Sequence, residues 1–308
     1  MTTATPEGRP DPATFLSGES GTVGGVRRSA RAIAGDLALD VRLRLARTGR
    51  ALDRAAATLP EREVLVVSVY RPGTEQLAAA ARELRRSRHR VGLAFGSTGE
   101  PDSALASETV ADGLTGGKFE NVNAIVRAVL PGPRPAPDWL IVLDDDVALP
   151  ERFLDRFLGA CEAVGFELAQ PAQTLRSHAA WRVTRRRGGS LARETRFVEI
   201  GPVTAFSRVA QEALMPFPDL RYGWGLDSHW GALAAERGWR IGVVDALPVR
   251  HESRPVATSY GHADAVEEAT SFLTGRAYVP TPEAQETVAT HRELSGPTGP
   301  SSTDAWPG

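Results

Sequence analysis

The sequence predicts an α/β fold: a doubly wound, mostly parallel sheet with flanking helices and with mixed strands in its C-terminal half. Short apolar runs rich in β-branched residues, typical of buried strands, occur at Glu63–Tyr70, at residues 90–95 and at Trp139–Leu143. Segments with helical periodicity separate these runs, at residues 74–88 and 118–130. Strands that alternate with helices through short turns indicate a parallel sheet.

Both ends of the chain differ from this pattern. Residues 1–25 are rich in Thr, Pro, Gly and Ser, which predicts a disordered leader that lacks the basic start and apolar run of a signal peptide. Residues 26–60 mix many arginines with Ala, Leu, Ile and Val and predict a basic amphipathic helical segment. Residues 281–308 become polar again, and we expect a flexible tail there.

A single globular domain is expected between these ends, over residues 61–280. The alternating pattern fills its first half, residues 61–150. The second half, residues 151–280, is more mixed. In that half we expect short strands at residues 181–184 and 197–200, on either side of a turn made by an Arg-Arg-Arg-Gly-Gly run.

Composition limits the classes of function. The 308 residues carry a formal net charge of −2, which argues against a general nucleic-acid-binding protein. Cys161 is the only cysteine, so an intrachain disulfide is excluded. No apolar run is long enough to span a bilayer, and we expect a cytoplasmic protein. Residues 26–59 leave peripheral contact with an anionic membrane open as an alternative, although a capping or pairing helix is favoured.

Three consecutive carboxylates follow the strand Trp139–Leu143. Asp144, Asp145 and Asp146 therefore lie at the C-terminal end of a buried strand, where open α/β sheets bind their ligands. Their mutual repulsion would be compensated by Mg²⁺ or Mn²⁺ together with a phosphate-bearing ligand. Side-chain alternation makes Asp144 and Asp146 the natural pair around one ion. The alternative interpretation is a solvated turn whose aspartates cap the next helix.

Lys118 is the only lysine of the chain, and it follows Gly116 and Gly117 at the predicted start of a helix. A helix N-terminus attracts anions, and Lys118 adds a full positive charge. The segment predicts a contact with the phosphates of a ligand. A solvated cation in the first turn of a helix explains the same pattern.

Gly223-Trp224-Gly225-Leu226-Asp227 places a carboxylate on a glycine-rich loop beside an aromatic ring. Such a loop suits a sugar, which stacks on Trp224 while Asp227 accepts a hydroxyl proton as a general base. The alternative is that Asp227 caps the helix that begins at Ser228 and that Trp224 belongs to the core.

His251 ends the last apolar strand. A neutral imidazole suits a transition-type divalent ion such as Mn²⁺, and the nearby aspartates make His251 a candidate third ligand. Arg250 and Arg254 are candidates to neutralise phosphates.

These motifs resemble those of a known class of enzymes, the glycosyltransferases with the A-type (GT-A) fold. The aspartate cluster resembles their Asp-x-Asp signature, and residues 64–70 and 91–99 resemble the two nucleotide-binding strands. The order Gly117-Lys118-x-x-Asn121-x-Asn123 resembles the Gly-Lys helix of family 2-like members. The stretch 138–260 also resembles a largely uncharacterised, plant-abundant glycosyltransferase family, through a set of four motifs. These are Trp181-x-x-Thr184-x-Arg186-Arg187, Phe197-Val198-Glu199-Ile200, Gly223 to Asp227 and Ile241 to Asp245.

The resemblance implies a GT-A-like catalytic domain, with a nucleotide-sugar half at residues 61–150 and an acceptor half at 151–280. It implies a hexosyltransferase-type enzyme that takes a nucleotide-diphosphate sugar as donor, Mn²⁺ or Mg²⁺ as cofactor, and a hydroxyl group on a sugar, lipid or small molecule as acceptor. The implied roles are as follows: donor binding by Lys118, Asn123, Asp144 and Asp145, metal binding by Asp144, Asp146 and His251, and acceptor activation by Asp227. For the acid that reads the nucleotide base, Glu100 and Asp102 are candidates.

Two other functions remain open at this point. A nucleotidyltransferase would use a similar sheet, but the loop after the first strand, Tyr70-Arg71-Pro72-Gly73-Thr74, is a poor phosphate loop. A nucleotide-sugar or carbohydrate binding protein without turnover would show the same binding motifs. A haloacid-type phosphatase is disfavoured because Ala148 stands where that class needs threonine.

Overall fold

The structure is a computed structural model, and it describes residues 8–17, 30–130, 136–177, 179–251 and 261–294. Nine α-helices occur in these ranges: α1 (Ala30–Leu45), α2 (Thr48–Thr58), α3 (Glu75–Leu84), α4 (Lys118–Val129), α5 (Phe153–Val164), α6 (Arg208–Leu214), α7 (Leu226–Glu236), α8 (His262–Leu273) and α9 (Thr281–Ala284). Ten strands occur with them: β1 (Glu63–Tyr70), β2 (Arg90–Ser97), β3 (Thr109–Ala111), β4 (Trp139–Leu143), β5 (Val147–Ala148), β6 (Phe166–Gln173), β7 (Ala192–Thr195), β8 (Val203–Ser207), β9 (Arg240–His251) and β10 (Thr287–His291).

One mixed sheet organises the described part of the chain. Its strand order is β3-β2-β1-β4-β8-β6-β9-β7-β10, and β5 pairs separately with β9. The strands β1, β2, β3 and β4 run parallel, and β6 and β9 run in the same direction. Within this order β8 and β7 are antiparallel to their neighbours. The predicted α/β class is confirmed, as is the mixture of strand directions in the C-terminal half.

The helices cover both faces of the sheet, as a doubly wound architecture requires. On one face α2, α3 and α5 bury Leu52, Leu77 and Phe157 against strand residues such as Val66. On the other face α4, α7 and α8 form a second core. Because β1 and β4 are covered on both sides, almost every residue of these strands is apolar and buried.

The predicted basic helical segment is two helices rather than one. Arg47 breaks it with a left-handed backbone (φ 52°) between α1 and α2. The helix α2 packs so closely on α5 that a Cβ at Gly159 would lie only 2.6 Å from the Ala56 nitrogen. The helix α1 is fixed by the buried Asp36, which accepts hydrogen bonds from the Leu175 nitrogen at 2.9 Å and from Arg176 Nε at 3.0 Å.

The prediction of a disordered leader over residues 1–25 is wrong for residues 8–17. Phe15 is buried there and meets the ring of Tyr278 edge-on at 6.2 Å. Thr14 Oγ1 lies 2.7 Å from the Tyr278 hydroxyl, and Thr281 Oγ1 donates to the Leu16 carbonyl at 2.9 Å. Burial of an aromatic ring and these long-range hydrogen bonds order a segment whose composition is typical of disorder.

The tail expected at residues 281–308 is structured over its first part. It forms α9 and then β10, which pairs antiparallel with β7. Residues 295–308 lie outside the described part of the chain.

The prediction of two short strands around the arginine-rich turn is also wrong. The first, at residues 181–184, contains a 3₁₀ helix, Arg182–Thr184. At residues 197–200 the chain is irregular, and β7 precedes it. Phe197 and Val198 belong to a loop, but their side chains are buried. Local periodicity does not distinguish such buried loop residues from a strand.

Among the described residues we find no helix that is long and apolar enough to cross a membrane.

Candidate functional site

The aspartate cluster lies at the C-terminal edge of β4. The Asp144 nitrogen donates to the Pro202 carbonyl at 2.9 Å, and the chain then turns through Asp145 and Asp146 into β5. Val147 of β5 pairs antiparallel with His251, the last residue of β9. This short pairing brings the imidazole next to the carboxylates, although His251 follows them by more than a hundred residues.

Three of the predicted residues come together as a candidate metal centre. Ligand atoms of Asp144, Asp146 and His251 all lie within 4.8 Å of one another. His251 Nε2 is 3.0 Å from Asp146 Oδ1 and 3.9 Å from Asp144 Oδ2. Two carboxylates and one imidazole are a suitable ligand set for Mn²⁺ and related divalent ions.

The charge distribution around His251 also suits a cation. Burial alone would lower the pKa of His251, but the hydrogen bond to Asp146 and the negative charges of Asp146, Asp144 and Glu199 raise it to about 9. The carboxylates that favour the protonated form of this imidazole would equally favour a bound cation. A divalent ion would supply the compensating charge in place of that proton.

Lys118 reaches the site from the first turn of α4. Its Nζ lies 2.6 Å from Asp144 Oδ1 and donates to the carbonyls of Ile200, at 2.8 Å, and Gly201, at 3.2 Å. These contacts use its three protons, so in this structure Lys118 orients Asp144. The preceding Gly117 lets the chain approach another loop, because a Cβ there would lie 2.1 Å from the Arg221 carbonyl oxygen.

Asp145 points away from the candidate metal centre. Its Oδ2 accepts hydrogen bonds from the Arg71 nitrogen at 3.0 Å and from Thr74 Oγ1 at 3.2 Å. Burial raises the pKa of Asp145, and the charges of Asp144 and Asp146 add to this effect. Asp145 therefore holds the loop between β1 and α3.

Asn123, predicted to bind the donor, makes a structural contact within the fold. Its side chain is buried and exchanges two hydrogen bonds with the backbone of Phe217, at 2.8 and 2.9 Å. Both its donor and its acceptor are therefore occupied by a structural contact, and donor binding by Asn123 stays a prediction.

Asp227 is buried in the first turn of α7. Gly225 (φ 86°), and not Asp227, is the N-cap residue of this helix, so the capping alternative is wrong. Asp227 Oδ1 accepts a hydrogen bond from the Ser228 nitrogen at 3.0 Å. Burial, followed by the charge of Glu199, raises the pKa of Asp227 to about 7.

Glu199 interacts through its charge with both Asp227 and His251 of the candidate metal centre. The sequence alone gives no role for Glu199. Burial raises the pKa of Glu199 to about 7, while the charges of His251 and Lys118 act in the opposite direction. Its Oε2 accepts a hydrogen bond from Gln173 Nε2 at 2.8 Å, and its nitrogen donates to Gln170 Oε1 at 2.6 Å. Two glutamines in the buried strand β6 were the available signal, because buried amides need polar partners.

The glycine-rich loop before α7 is held in place by Glu268 of α8. Glu268 accepts hydrogen bonds from the nitrogens of Arg221, Tyr222 and Gly223 at 2.7, 2.8 and 3.1 Å. Trp224 is half-buried, packs on the second core and meets the His262 ring edge-on at 5.3 Å.

The remaining candidates lie at the edge of this arrangement or outside it. Asp102 accepts a hydrogen bond from the Gly73 nitrogen at 2.9 Å and so supports the loop after β1, whereas Glu100 is exposed. Arg250 lies beside His251 and interacts with other groups. Arg254 lies outside the described residues.

The raised pKa of Asp227 predicts how its removal changes stability with pH. The pKa of about 7 means that the carboxyl group keeps its proton up to about pH 7 in the folded protein, whereas the ordinary pKa of an aspartate is 3.8. The stability linked to this proton is fully present below about pH 4 and is lost as the pH rises through about 7. Asp227→Asn stays neutral, so its melting temperature relative to wild type should rise between about pH 5 and about pH 8. Thermal unfolding in EDTA measures this difference.

The matched control for this measurement is Asp112→Asn, which neutralises an exposed carboxylate. We expect a difference between this variant and wild type that changes little over the same pH range. A pH-independent difference for Asp227→Asn would contradict the assignment of a protonated, buried Asp227.

Comparison with known proteins gives matches to solved structures only. No model of a protein family matches the sequence, and no curated protein matches it. A mannosyltransferase from Pyrobaculum calidifontis, in complex with GDP-Man and Mn²⁺, matches with 17% identity and a TM-score of 0.43, over 70% of this chain and 68% of that chain. GalNAc-T7, with UDP, GalNAc and Mn²⁺, matches with 10% identity and a TM-score of 0.46, over 67% of this chain and 47% of that chain.

Glucosyl-3-phosphoglycerate synthase from Mycobacterium tuberculosis, in complex with phosphoglyceric acid, matches with 15% identity and a TM-score of 0.47, over 73% of this chain and 83% of that chain. The present chain spans about half the length of GalNAc-T7, at 47%. Because all three TM-scores are below 0.5, a function for this chain has to be inferred from the geometry of its own site.

Proposed function

We propose that the protein is a metal-dependent glycosyltransferase of the hexosyltransferase type. It transfers a sugar from a nucleotide-diphosphate donor to a hydroxyl group on a sugar, lipid or small molecule. The observation that carries the proposal is the convergence of Asp144, Asp146 and His251 at the C-terminal edge of the sheet, where α/β folds bind ligands. A fold does not need two carboxylates and an imidazole at this place for its stability.

The residues present fit a divalent cation. Asp144, Asp146 and His251 would hold Mn²⁺ or Mg²⁺, and the bound ion would supply charge compensation for the diphosphate leaving group. Lys118 fixes the orientation of Asp144, from which it lies 2.6 Å. Ligand orientation by such contacts commonly changes metal affinity by about 10- to 100-fold.

Asp227 is the proposed general base. A carboxylate with a pKa of about 7 accepts a proton from an acceptor hydroxyl at neutral pH better than an ordinary aspartate does. This role requires that the reaction inverts the configuration of the transferred sugar. Burial keeps bulk water away from Asp227, which favours the acceptor over hydrolysis.

Glu199 is the proposed positioning residue of this base. Its charge raises the pKa of Asp227, and its own hydrogen bonds to Gln170 and Gln173 fix its place in the loop before β8. Replacing Glu199 with Gln removes this charge and should lower the pKa of Asp227. The acidic limb of the pH–rate profile should therefore move to lower pH, an effect that loss of packing alone would not produce.

A thermal-shift panel of nucleotide-diphosphate sugars, each with Mn²⁺ and with EDTA, tests the proposed function. A ligand at about 100 times its Kd stabilises the folded state by about 2.7 kcal/mol. For a domain of this size that amount corresponds to a rise in melting temperature of roughly 5 to 10 °C. We expect such a rise for the true donor only when Mn²⁺ is present.

The same panel separates the alternatives. A metal-dependent shift without any sugar transfer or donor hydrolysis would indicate a nucleotide-sugar binding protein. A shift with nucleoside triphosphates and release of pyrophosphate would indicate a nucleotidyltransferase. Shifts that are equal with Mn²⁺ and with EDTA for every nucleotide sugar would overturn the proposed metal dependence.

A further inference from the structure

The helix α1 exposes a ridge of large apolar side chains. Leu37, Val41 and Leu45 are 60%, 53% and 79% exposed, and they account for three of the six exposed large apolar residues among the described ones. A spacing of four residues places them one above another on the same side of the helix. An apolar ridge of this kind on a surface helix indicates an interaction site.

Arginines flank this ridge on both sides. At about 100° per residue, Arg44 lies on one side of the line through Leu37, Val41 and Leu45, and Arg31 and Arg42 lie on the other side. All three arginines are exposed. Their charges are therefore available to a partner.

Both acidic residues of α1 are paired with arginines of the protein. Asp36 is buried against Arg176 and Arg186, at 3.0 and 3.2 Å, and Asp40 lies 2.7 Å from Arg186. Asp36 is thus removed from solvent, and the half-exposed carboxylate of Asp40 is already paired, so arginines dominate the charge beside the ridge.

The positive charge continues beside the ridge in a groove of about 1260 Å³ between α1, α2 and the end of β10. Asp144, Asp146 and His251 of the candidate metal centre do not line this groove. It is lined by five arginines, Arg42, Arg47, Arg50, Arg54 and Arg292. Of its two acids, Asp53 is already paired with Arg152 and Arg156, at 2.8 Å each.

We propose that α1 docks on an anionic membrane surface, with the ridge of Leu37, Val41 and Leu45 in the interface and its flanking arginines on lipid phosphates. An apolar strip bordered by arginines matches such a surface, since the long side chains reach the headgroups while the strip enters the acyl boundary. A second copy of the chain fits poorly, because a two-fold contact would place arginines against arginines.

Docking through α1 would orient the whole domain. The helix is tied to the loop after β6 by the buried Asp36, and α2 packs on α5, so a rigid connection joins the lipid surface to the sheet. This inference rests on the surface of α1 and α2, and it is independent of the proposed transferase activity.

Co-sedimentation of the full chain with vesicles tests the proposal. We expect binding to phosphatidylcholine vesicles that contain phosphatidylglycerol, little binding to pure phosphatidylcholine, and weaker binding as salt increases. Leu37→Gln/Val41→Gln/Leu45→Gln should reduce binding by about tenfold or more. Arg31→Gln/Arg42→Gln/Arg44→Gln should reduce it on the order of a hundredfold at low salt.

The matched control is Val209→Gln/Val288→Gln, which replaces valines that are 48% and 51% exposed elsewhere on the surface. It should bind like wild type, and the melting temperatures of all variants should stay within a few degrees of each other. Absence of vesicle binding by the wild-type protein would overturn the proposal, as would equal binding to neutral vesicles. A ridge variant that binds vesicles normally but loses self-association in light scattering would show that a second copy covers the ridge.

Discussion

Replacing Asp146 with Ala is expected to lower the metal-dependent kcat/KM for sugar transfer by about 10³-fold or more. The variant removes one of three ligands and the hydrogen-bond partner of His251, which lies 3.0 Å away. Stabilisation of a leaving diphosphate by a metal amounts to several kcal/mol, and each 1.36 kcal/mol changes the rate tenfold. Initial rates measured over a range of Mn²⁺ concentrations, with the donor identified by the thermal-shift panel, give this value.

Asp145→Asn is the matched control, since it alters the neighbouring carboxylate in the same turn. Its side chain accepts hydrogen bonds from the Arg71 nitrogen and Thr74 Oγ1, and an asparagine oxygen can still accept them. We expect a loss of less than about tenfold with unchanged dependence on Mn²⁺. If Asp146→Ala retains activity close to that of wild type, or if Asp145→Asn is the more damaging change, the ligand set is wrong.

The first half of the fold was accessible from sequence because its signals are local. Strands such as Glu63–Tyr70 and Trp139–Leu143 are buried on both faces, so each appears as an uninterrupted apolar run between turns. In the second half the position of a strand depends on distant partners. The strand β8 lies antiparallel between β4 and β6, and no pattern within its five residues indicates this order.

Some residues of the candidate site can also be predicted from local sequence, whereas others depend on distant contacts. Asp144 and Asp146 follow from a strand that ends in carboxylates, and their grouping with His251 depends on the pairing of β5 with the end of β9. Glu199 has no such local signal, because its burial results from packing against β6. Asn123 was assigned by motif resemblance, although its amide is used by the backbone of Phe217. A motif gives the residue type, while the tertiary contacts decide its role.

The chain ends show why composition alone misleads. Residues 8–17 and 281–294 are polar and rich in proline or threonine, yet they contact one another, because Thr281 Oγ1 donates to the carbonyls of Thr14 and Leu16. Each segment supplies the partners that the other needs to offset its loss of conformational entropy.

A buried ion pair between Arg193 of β7 and Asp245 of β9 should have a large effect on the free energy of unfolding. Arg193 donates to both carboxylate oxygens, from Nε at 2.7 Å and from Nη2 at 2.9 Å, and the Arg187 nitrogen donates to Asp245 at 3.0 Å. Both side chains are almost fully buried. Asp245→Ala leaves a guanidinium without a counter-charge, and we expect a loss of about 3–5 kcal/mol in the free energy of unfolding. Urea unfolding monitored by tryptophan fluorescence measures it.

The loss should arise from the unpaired charge and not from the absence of an attractive contact. The double variant Arg193→Met/Asp245→Leu removes both charges and fills a similar volume, so it should recover most of the lost stability. Arg208→Ala breaks a single contact at the surface, with Asp138 at 2.8 Å, and should change the free energy of unfolding by at most about 1 kcal/mol because solvent screens that pair. A double variant that is as unstable as Asp245→Ala would mean that hydrogen bonds to the turn at Arg187, and not charge compensation, hold β7 against β9.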